Sequence, residues 1–235
     1  MAGKPRGRRA TLSREIILDA AFRVVDDDEM NELTMSRLGR ELDADPSAVY
    51  RHFRNKDELL LAMADVMLQE SYQAYVEGDG PIENLRRMAW SLRRSYLRRP
   101  GLARFVTYRF TGGEAEAASV RAMLHNMSEL GYDEAQCIET VRALAEMTLG
   151  HISMTADVLA LPRKAQGFEL SMGRAYYTHP LERPSKSTDA ELREAHLADG
   201  EQVFGTMLET FLAGVVAHAP KPPKASKPTK RRAPR

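Results

Sequence analysis

An all-α protein is predicted by three features of the 235-residue sequence. Apolar residues recur three and four apart along most of its length. No sustained alternating run of β-branched residues marks a strand, and helix-starting residues stand ahead of the apolar stripes. With 43% apolar residues the chain can build one or two domains with a substantial core.

Ser13 at an N-cap position precedes Ile16, Ile17, Ala20, Ala21, Val24 and Val25, one apolar stripe that stops at the acidic run 26–29. Thr34 caps a short second helix in which Met35, Leu38 and Leu42 share a face, ending near Asp43. Asp45 followed by Pro46 starts a third: the carboxylate accepts free N–H groups, and proline at N1 lacks only a donor that would go unused. This helix is expected over 46–53. Asn55 with Glu58 three residues on is a variant of the capping box and opens a long fourth helix to about Val76. Further helices are expected at about 82–98, 102–110, 114–130 and 133–161. Less regular chain follows from 162 to 187, then a short helix near 190–197 and a final one, capped by Asp199 and Gln202, to about 216. No repeat at solenoid period is present.

The formal net charge is only +1, but its distribution is uneven. Residues 1–10 carry +4 and the tail 218–235 carries +7, neither with an acid, which leaves −10 for the chain between them. The Lys/Pro-rich tail is too poor in apolar residues to offset its ordering entropy and is expected to be disordered. The lone Cys137 excludes an internal disulfide and any metal site built from several thiolates. His179, His196 and Cys137 have no metal-ligand spacing, so no metal is assigned. No stretch has the roughly 18 apolar residues of a membrane span, and no apolar segment follows the basic start, so the chain reads as cytoplasmic.

Helices two and three, separated by a short turn, have the spacing of a helix-turn-helix, whose second helix lies in the DNA major groove. At 100° per residue, Ser47, Tyr50, Arg51 and Arg54 share one side of the third helix, and Val49 and Phe53 share the opposite, packing side. Arg51 can pair with guanine O6 and N7, Ser47 can reach a base edge or a phosphate, and Tyr50 can reach a phosphate. His52 lies at the flank, and Lys56 begins the fourth helix where a phosphate would pass. The arm Lys4 to Arg9 would add the attraction that the acidic remainder lacks.

The segment LTMSRLGRELDADPSAVYRHFRNKDELLLAM resembles the DNA-binding domain of the tetracycline-repressor (TetR) family over about residues 12–68. The features that carry the resemblance are Leu33-Thr34 through Leu38, the Val49-Tyr50 pair, and the run FRNK leading into Leu59 and Leu60. It departs from the family pattern at Asp43, where glycine is usual, and at Pro46 and Ala48, often polar readers, so no base preference transfers. The resemblance implies DNA contacts at Thr34, Ser36, Arg37, Ser47, Tyr50, Arg51, His52 and Lys56. RRPGLARF and FGTMLETFLAGV resemble elements of the family's C-terminal domains. The implied architecture is a three-helix helix-turn-helix domain (11–71), joined by a long helix to a helical ligand-binding and dimerisation domain (80–217), between the basic arm 1–10 and the tail 218–235.

On that implication the chain is a ligand-responsive regulator, a repressor that binds a double-stranded palindromic operator as a homodimer. A small-molecule effector would release it. The helix from Asp133 and the final helix are the broadest apolar surfaces for dimerisation, and Gly150, Gly205 and Gly214 permit close approach. Trp90, Phe105, Tyr108, Phe110, Met123, Met127 and Met147 could line an effector cavity, although such residues at helical spacing are by default core. His151 and His125 could anchor a ligand or be ordinary histidines. A helical small-molecule-binding or protein-interaction module without operator binding is the alternative. An enzyme is disfavoured: no P-loop, G-x-S-x-G, H-E-x-x-H or dinucleotide fingerprint occurs, Gly112-Gly113 reads as a helix break, and no catalytic residue or cofactor is assigned.

Overall fold

The computed structural model describes residues 12–26, 33–178 and 189–220. The basic arm and the tail beyond Pro220 lie outside the described residues. Those described form ten helices and no strand: α1 (Arg14–Asp26), α2 (Met35–Glu41), α3 (Pro46–Tyr50), α4 (Lys56–Ala74), α5 (Pro81–Leu97), α6 (Pro100–Val106), α7 (Glu114–Glu129), α8 (Glu134–Leu159), α9 (Arg163–Thr178) and α10 (Asp189–His218).

Starts follow the sequence closely because capping is local chemistry. The Thr34 hydroxyl accepts from the Arg37 N–H (3.1 Å) and Asp45 from the Ser47 N–H (2.8 Å). Asn55 accepts from the Glu58 N–H (2.8 Å), but the Glu58 carboxylate reaches back to the N–H of Arg54 rather than of Asn55. Asp133 and Gln136 form a full capping box on α8.

Ends and breaks differ more. Helix α3 stops at Tyr50, three residues short of expectation. The N–H groups of Arg51, His52 and Phe53 still reach the carbonyls of Ser47 and Val49, so a tightened turn continues the same surface to Phe53. Helix α6 runs from Pro100 to Val106, not over 102–110. Residues beyond Thr107 swing toward α4, where Arg109 pairs with Asp57 (3.2 Å) and the Thr111 hydroxyl donates to Asp65 (3.0 Å).

The segment expected to be irregular from 162 to 187 contains α9. Its Gly167 and Gly173 weaken it locally, but Leu170 is buried, and the Gln166 amide donates to the Val158 and Leu159 carbonyls (3.3 and 3.0 Å) at the end of α8. The final two expected helices are one, α10. Asp199, Gly200 and Gln202 look like a break, yet a glycine inside a helix costs only about 1 kcal/mol. Here Gly200 faces α5: a Cβ there would lie 3.4 Å from the Arg93 guanidinium.

Two cores hold the bundle. One joins α1–α4 to Tyr96, Leu102, Ala103, Val106, Ile152 and Ala156. The other joins α5, α7, α8 and α10 through Leu85, Met127, Leu144, Phe204 and Leu208. Helix α4 is therefore packed continuously from the helix-turn-helix into the larger bundle. Ser91 and Ser95 of α5 donate to its Ser71 and Met67 carbonyls (2.7 and 2.9 Å).

A candidate DNA-reading surface and a partly open cavity

Helix α3 is held from beneath. Val49 and Phe53 are fully buried and Ala48 nearly so, fixing one side of a helix too short to be stable alone. On the other side Ser47, Tyr50 and Arg51 are exposed, Tyr50 at 52%. Arg54 and Lys56 continue this surface into α4, and Thr34 and Ser36 are exposed at the start of α2. These residues are thus exposed at the start of α2, along α3 and at the start of α4. His52 is half-buried, and Arg37 is half-buried against Glu41 (2.7 Å), whose carboxyl it holds below the usual carboxylate range.

Two supporting residues escaped the sequence reading. Arg14 of α1 lies 4.1 Å over the Phe53 ring, donates to the His52 carbonyl, and pairs with Glu58 (3.1 Å). The Arg54 N–H and this guanidinium lower the Glu58 carboxyl. Nothing in the sequence marks this contact between residues far apart in the chain. Gly39 did leave a signal, a glycine inside a short helix. A Cβ there would lie 2.9 Å from the Ala44 carbonyl oxygen and 3.2 Å from the Pro46 ring, so its absence sets how closely α3 crosses α2. In the turn between them Asp43 has φ +46°, where glycine is the unstrained choice.

Farther along α4 lies a cavity of about 140 Å³. Its walls come from five helices, with Leu68 and Tyr72 of α4, Met88, Leu92 and Tyr96 of α5, Val106 of α6, Met123 of α7 and Leu144 of α8. They are overwhelmingly apolar. Burial, with Glu116 and Asp65 nearby, pushes the Tyr96 phenol up. Arg109 and Glu116 stand on the wall but are engaged: Arg109 with Asp57, and Glu116 accepting from the Gly112 N–H (2.8 Å). Gly113 lets the start of α7 close on α4, since a Cβ there would fall 2.1 Å from the Asp65 carboxylate.

Of the residues read as cavity candidates, the structure brings Phe110 and Met123 to this wall. Trp90 instead meets Phe204 edge-on (4.8 Å between centroids), while Met127 and Met147 pack in the second core. Phe105 lies under Arg104 and Tyr108 is exposed. His151 sits between α5 and α10, 3.4 Å from the Arg93 guanidinium. Burial, then Arg93 and His196, lower its pKa to about 4. His125 is exposed beside Glu129. Among the described residues no group of His, Cys, Asp and Glu could hold a metal ion, and no helix is long and apolar enough to cross a membrane.

The outer faces of α8 and α10 carry exposed Ile138, Met154 and Val203. A Cβ at Gly150 or Gly214 would meet nothing within 4 Å, whereas one at Gly205 would lie 3.5 Å from Trp90.

Comparison with known proteins matches residues 17–63 to the family described as bacterial regulatory proteins, tetR family, and residues 77–219 to the tetracyclin repressor-like C-terminal domain. The tetracycline repressor protein class D of Escherichia coli is 28% identical over 212 residues, 87% of this chain and 89% of that protein. Among solved structures, ActR of Streptomyces coelicolor in complex with actinorhodin has a TM-score of 0.71 at 22% identity, covering 90% of this chain and all of that one. BioQ of Mycobacterium smegmatis, solved with its double-stranded DNA operator, has a TM-score of 0.60 at 24% identity, covering 88% and 99%. These two are likenesses of fold.

Proposed function

Since the chain belongs to the tetR family of bacterial regulatory proteins, we propose that it is a ligand-responsive repressor, holding a palindromic operator as a homodimer until a small molecule releases it. The observation that carries the reading is the α3 surface: a short helix clamped by Ala48, Val49 and Phe53 that turns Ser47, Tyr50 and Arg51 outward. We assign Arg51 and Ser47 to base edges, and Thr34, Ser36, Arg37, Tyr50, His52 and Lys56 to phosphates or flanking contacts. Residues 11–71 form the DNA-binding unit and 80–217 the regulatory one in this assignment. The arm 1–10 and the tail add phosphate attraction. Such a role places the protein in the cytoplasm and asks no catalysis of it. BioQ with its operator and ActR with actinorhodin are folded alike and have the two kinds of partner proposed here.

The outward faces of α8 and α10 supply the dimer contact, with Gly150 and Gly214 allowing helices of a second copy to approach. Two-fold symmetry then sets two α3 helices about 34 Å apart, one turn of the duplex. Helix α4 links the two sites. It starts at Lys56 beside α3 and reaches the cavity at Leu68, about 18 Å on. Arg109 and Thr111 tie the cavity mouth to its Asp57 and Asp65. A ligand that favours another setting of α4 lowers operator affinity, and operator lowers ligand affinity by the same factor. A 100-fold release requires about 2.7 kcal/mol of coupling.

The test is selection of genomic fragments on the purified full chain, followed by footprinting and sedimentation. The expected result is a palindrome covered by a dimer. Failure to enrich any sequence, or a monomer at concentrations that saturate DNA, would refute the reading.

A further inference from the structure

Thr107, at the end of α6, and Thr148, in α8, both line the cavity. They are 4% and 1% exposed, and neither hydroxyl has a hydrogen-bond partner. Other helical threonines show what such a hydroxyl ordinarily does. Thr155, Thr206 and Thr210 return theirs to the carbonyl four residues back, at 2.9, 3.0 and 2.7 Å. The threonines left unsatisfied are on the cavity wall, which is mostly apolar. A buried hydroxyl without a partner is costly, and a ligand oxygen is the group that would relieve it.

Size and charge narrow the occupant further. A cavity of about 140 Å³ compares with the roughly 150 Å³ apolar cavity that accommodates benzene. The cation on the wall is already committed, Arg109 to Asp57, and the Glu116 carboxylate accepts from the Gly112 N–H. An anionic ligand would be desolvated there without a free cation and beside the Glu116 carboxylate.

Building on the assignment of this cavity as the effector site, we propose that it takes a molecule about one ring in size that carries no negative charge. One or two of its oxygens, of the carbonyl or hydroxyl kind, are held by Thr107 and Thr148. These two threonines decide which ligand enters; the apolar wall supplies affinity without choosing among shapes of that size.

The experiment uses the full chain and three probes of similar size: acetophenone, ethylbenzene, which lacks the oxygen, and benzoate, which is charged. Binding is measured by titration calorimetry, with thermal unfolding of the ligand-free protein alongside. Acetophenone is expected to bind about tenfold more tightly than ethylbenzene, a difference of one ordinary hydrogen bond, and benzoate least. In Thr107→Val and Thr148→Val the preference for acetophenone shrinks, and in the double variant it vanishes while ethylbenzene still binds. Because valine keeps the shape and removes the unsatisfied hydroxyl, each variant should also raise the ligand-free Tm, by about 2–4 °C. A threonine with a purely structural hydrogen bond would give a fall.

Equal binding of acetophenone and ethylbenzene by the natural chain, tighter binding of benzoate, no binding of any probe, or a lowered Tm in both valine variants would each overturn the proposal. If acetophenone binds as described but leaves the operator complex intact, the assignment of the cavity as the effector site falls and the ligand class stands.

Discussion

At the α2–α3 end, the candidate contacts lie between Thr34 and Lys56, and the face they form follows from spacing along one short helix and its caps. At the cavity, the wall runs from Leu68 to Leu149 and needs five helices packed together before it exists. One surface is written in local sequence and the other in tertiary packing. The difference extends to how each tolerates change. The α3 surface has few supports, so a small intrusion moves all of it, whereas the cavity loses one wall residue and keeps the rest.

Gly39→Val breaks the comparison most severely. Its side chain would press on the Ala44 carbonyl and the Pro46 ring, backbone and proline that cannot swing aside. Overpacking of this kind costs about 1–3 kcal/mol, and the strain is relieved by moving α3 away from α2. Operator affinity should drop by at least about 30-fold, equivalent to roughly 2 kcal/mol, while acetophenone binding in the cavity is unchanged. Parallel loss at both sites in fluorescence anisotropy and calorimetry would show that the two ends are not separable.

Changes on the α3 surface itself sharpen the same contrast. Arg51→Ala is expected to lose about 1–3 kcal/mol and relax preference at one base pair, as removal of a bidentate base contact does. Lys56→Ala should weaken all sequences alike and flatten the salt dependence by about one unit of slope. A selection on random operators at two salt concentrations separates them. Unchanged preference in the arginine variant would remove its base-reading role.

The sequence disclosed what local chemistry decides. Thr34, Asp45-Pro46 and Asn55 opened their helices as expected, and the burial of Val49 and Phe53 against exposed Ser47, Tyr50 and Arg51 is the 100° periodicity realised. What stayed hidden depends on partners distant in the chain. Gln166 capping α8 stabilises a helix whose own sequence argues against it, and Gly200 reads as a break until Arg93 is seen beside it. Trp90 and Met127 were as plausible for a cavity as Met123; which of them faces the space is settled by α10, whose Phe204 takes Trp90. Thr107 and Thr148 look like any helical threonines until their hydroxyls are found unpartnered.

Acid should act on the two regions in different windows. His151 has a pKa near 4 in the folded protein and about 6.5 when unfolded. As pH falls below about 6.5 the unfolded chain takes up a proton that the folded one refuses, so stability is lost between about pH 6.5 and 4. His196, also lowered by burial, acts in the same direction, with Asp199 and Arg93 as its charged neighbours and His151 beside it. Around α2–α4, Glu41, Asp45 and Glu58 are depressed carboxylates, whose contribution is complete above their unfolded pKa and disappears only as pH falls below about 4. Urea unfolding at pH 7.5 and 5.0 should show a loss of about 1 kcal/mol, reduced in His151→Gln. An unaltered pH dependence in that variant would assign the acid sensitivity elsewhere.

The smallest effect expected belongs to Asp43, and it isolates backbone from charge at the α2–α3 end. Its φ of +46° costs an ordinary L-residue about 1–2 kcal/mol, less for Asp and Asn. Asp43→Gly relieves that strain but gives the unfolded chain more freedom, worth about 0.4–1 kcal/mol in the opposite sense. The net gain should be no more than about 0.5 kcal/mol, a rise of 1–2 °C in Tm. Asp43→Asn keeps the left-handed tolerance and removes only the negative charge from the turn between α2 and α3. If charge dominates there, both variants tighten operator binding equally, and their gain over the natural chain grows as salt is lowered and screening falls. If backbone strain positions α3, glycine alone changes affinity and asparagine behaves as aspartate.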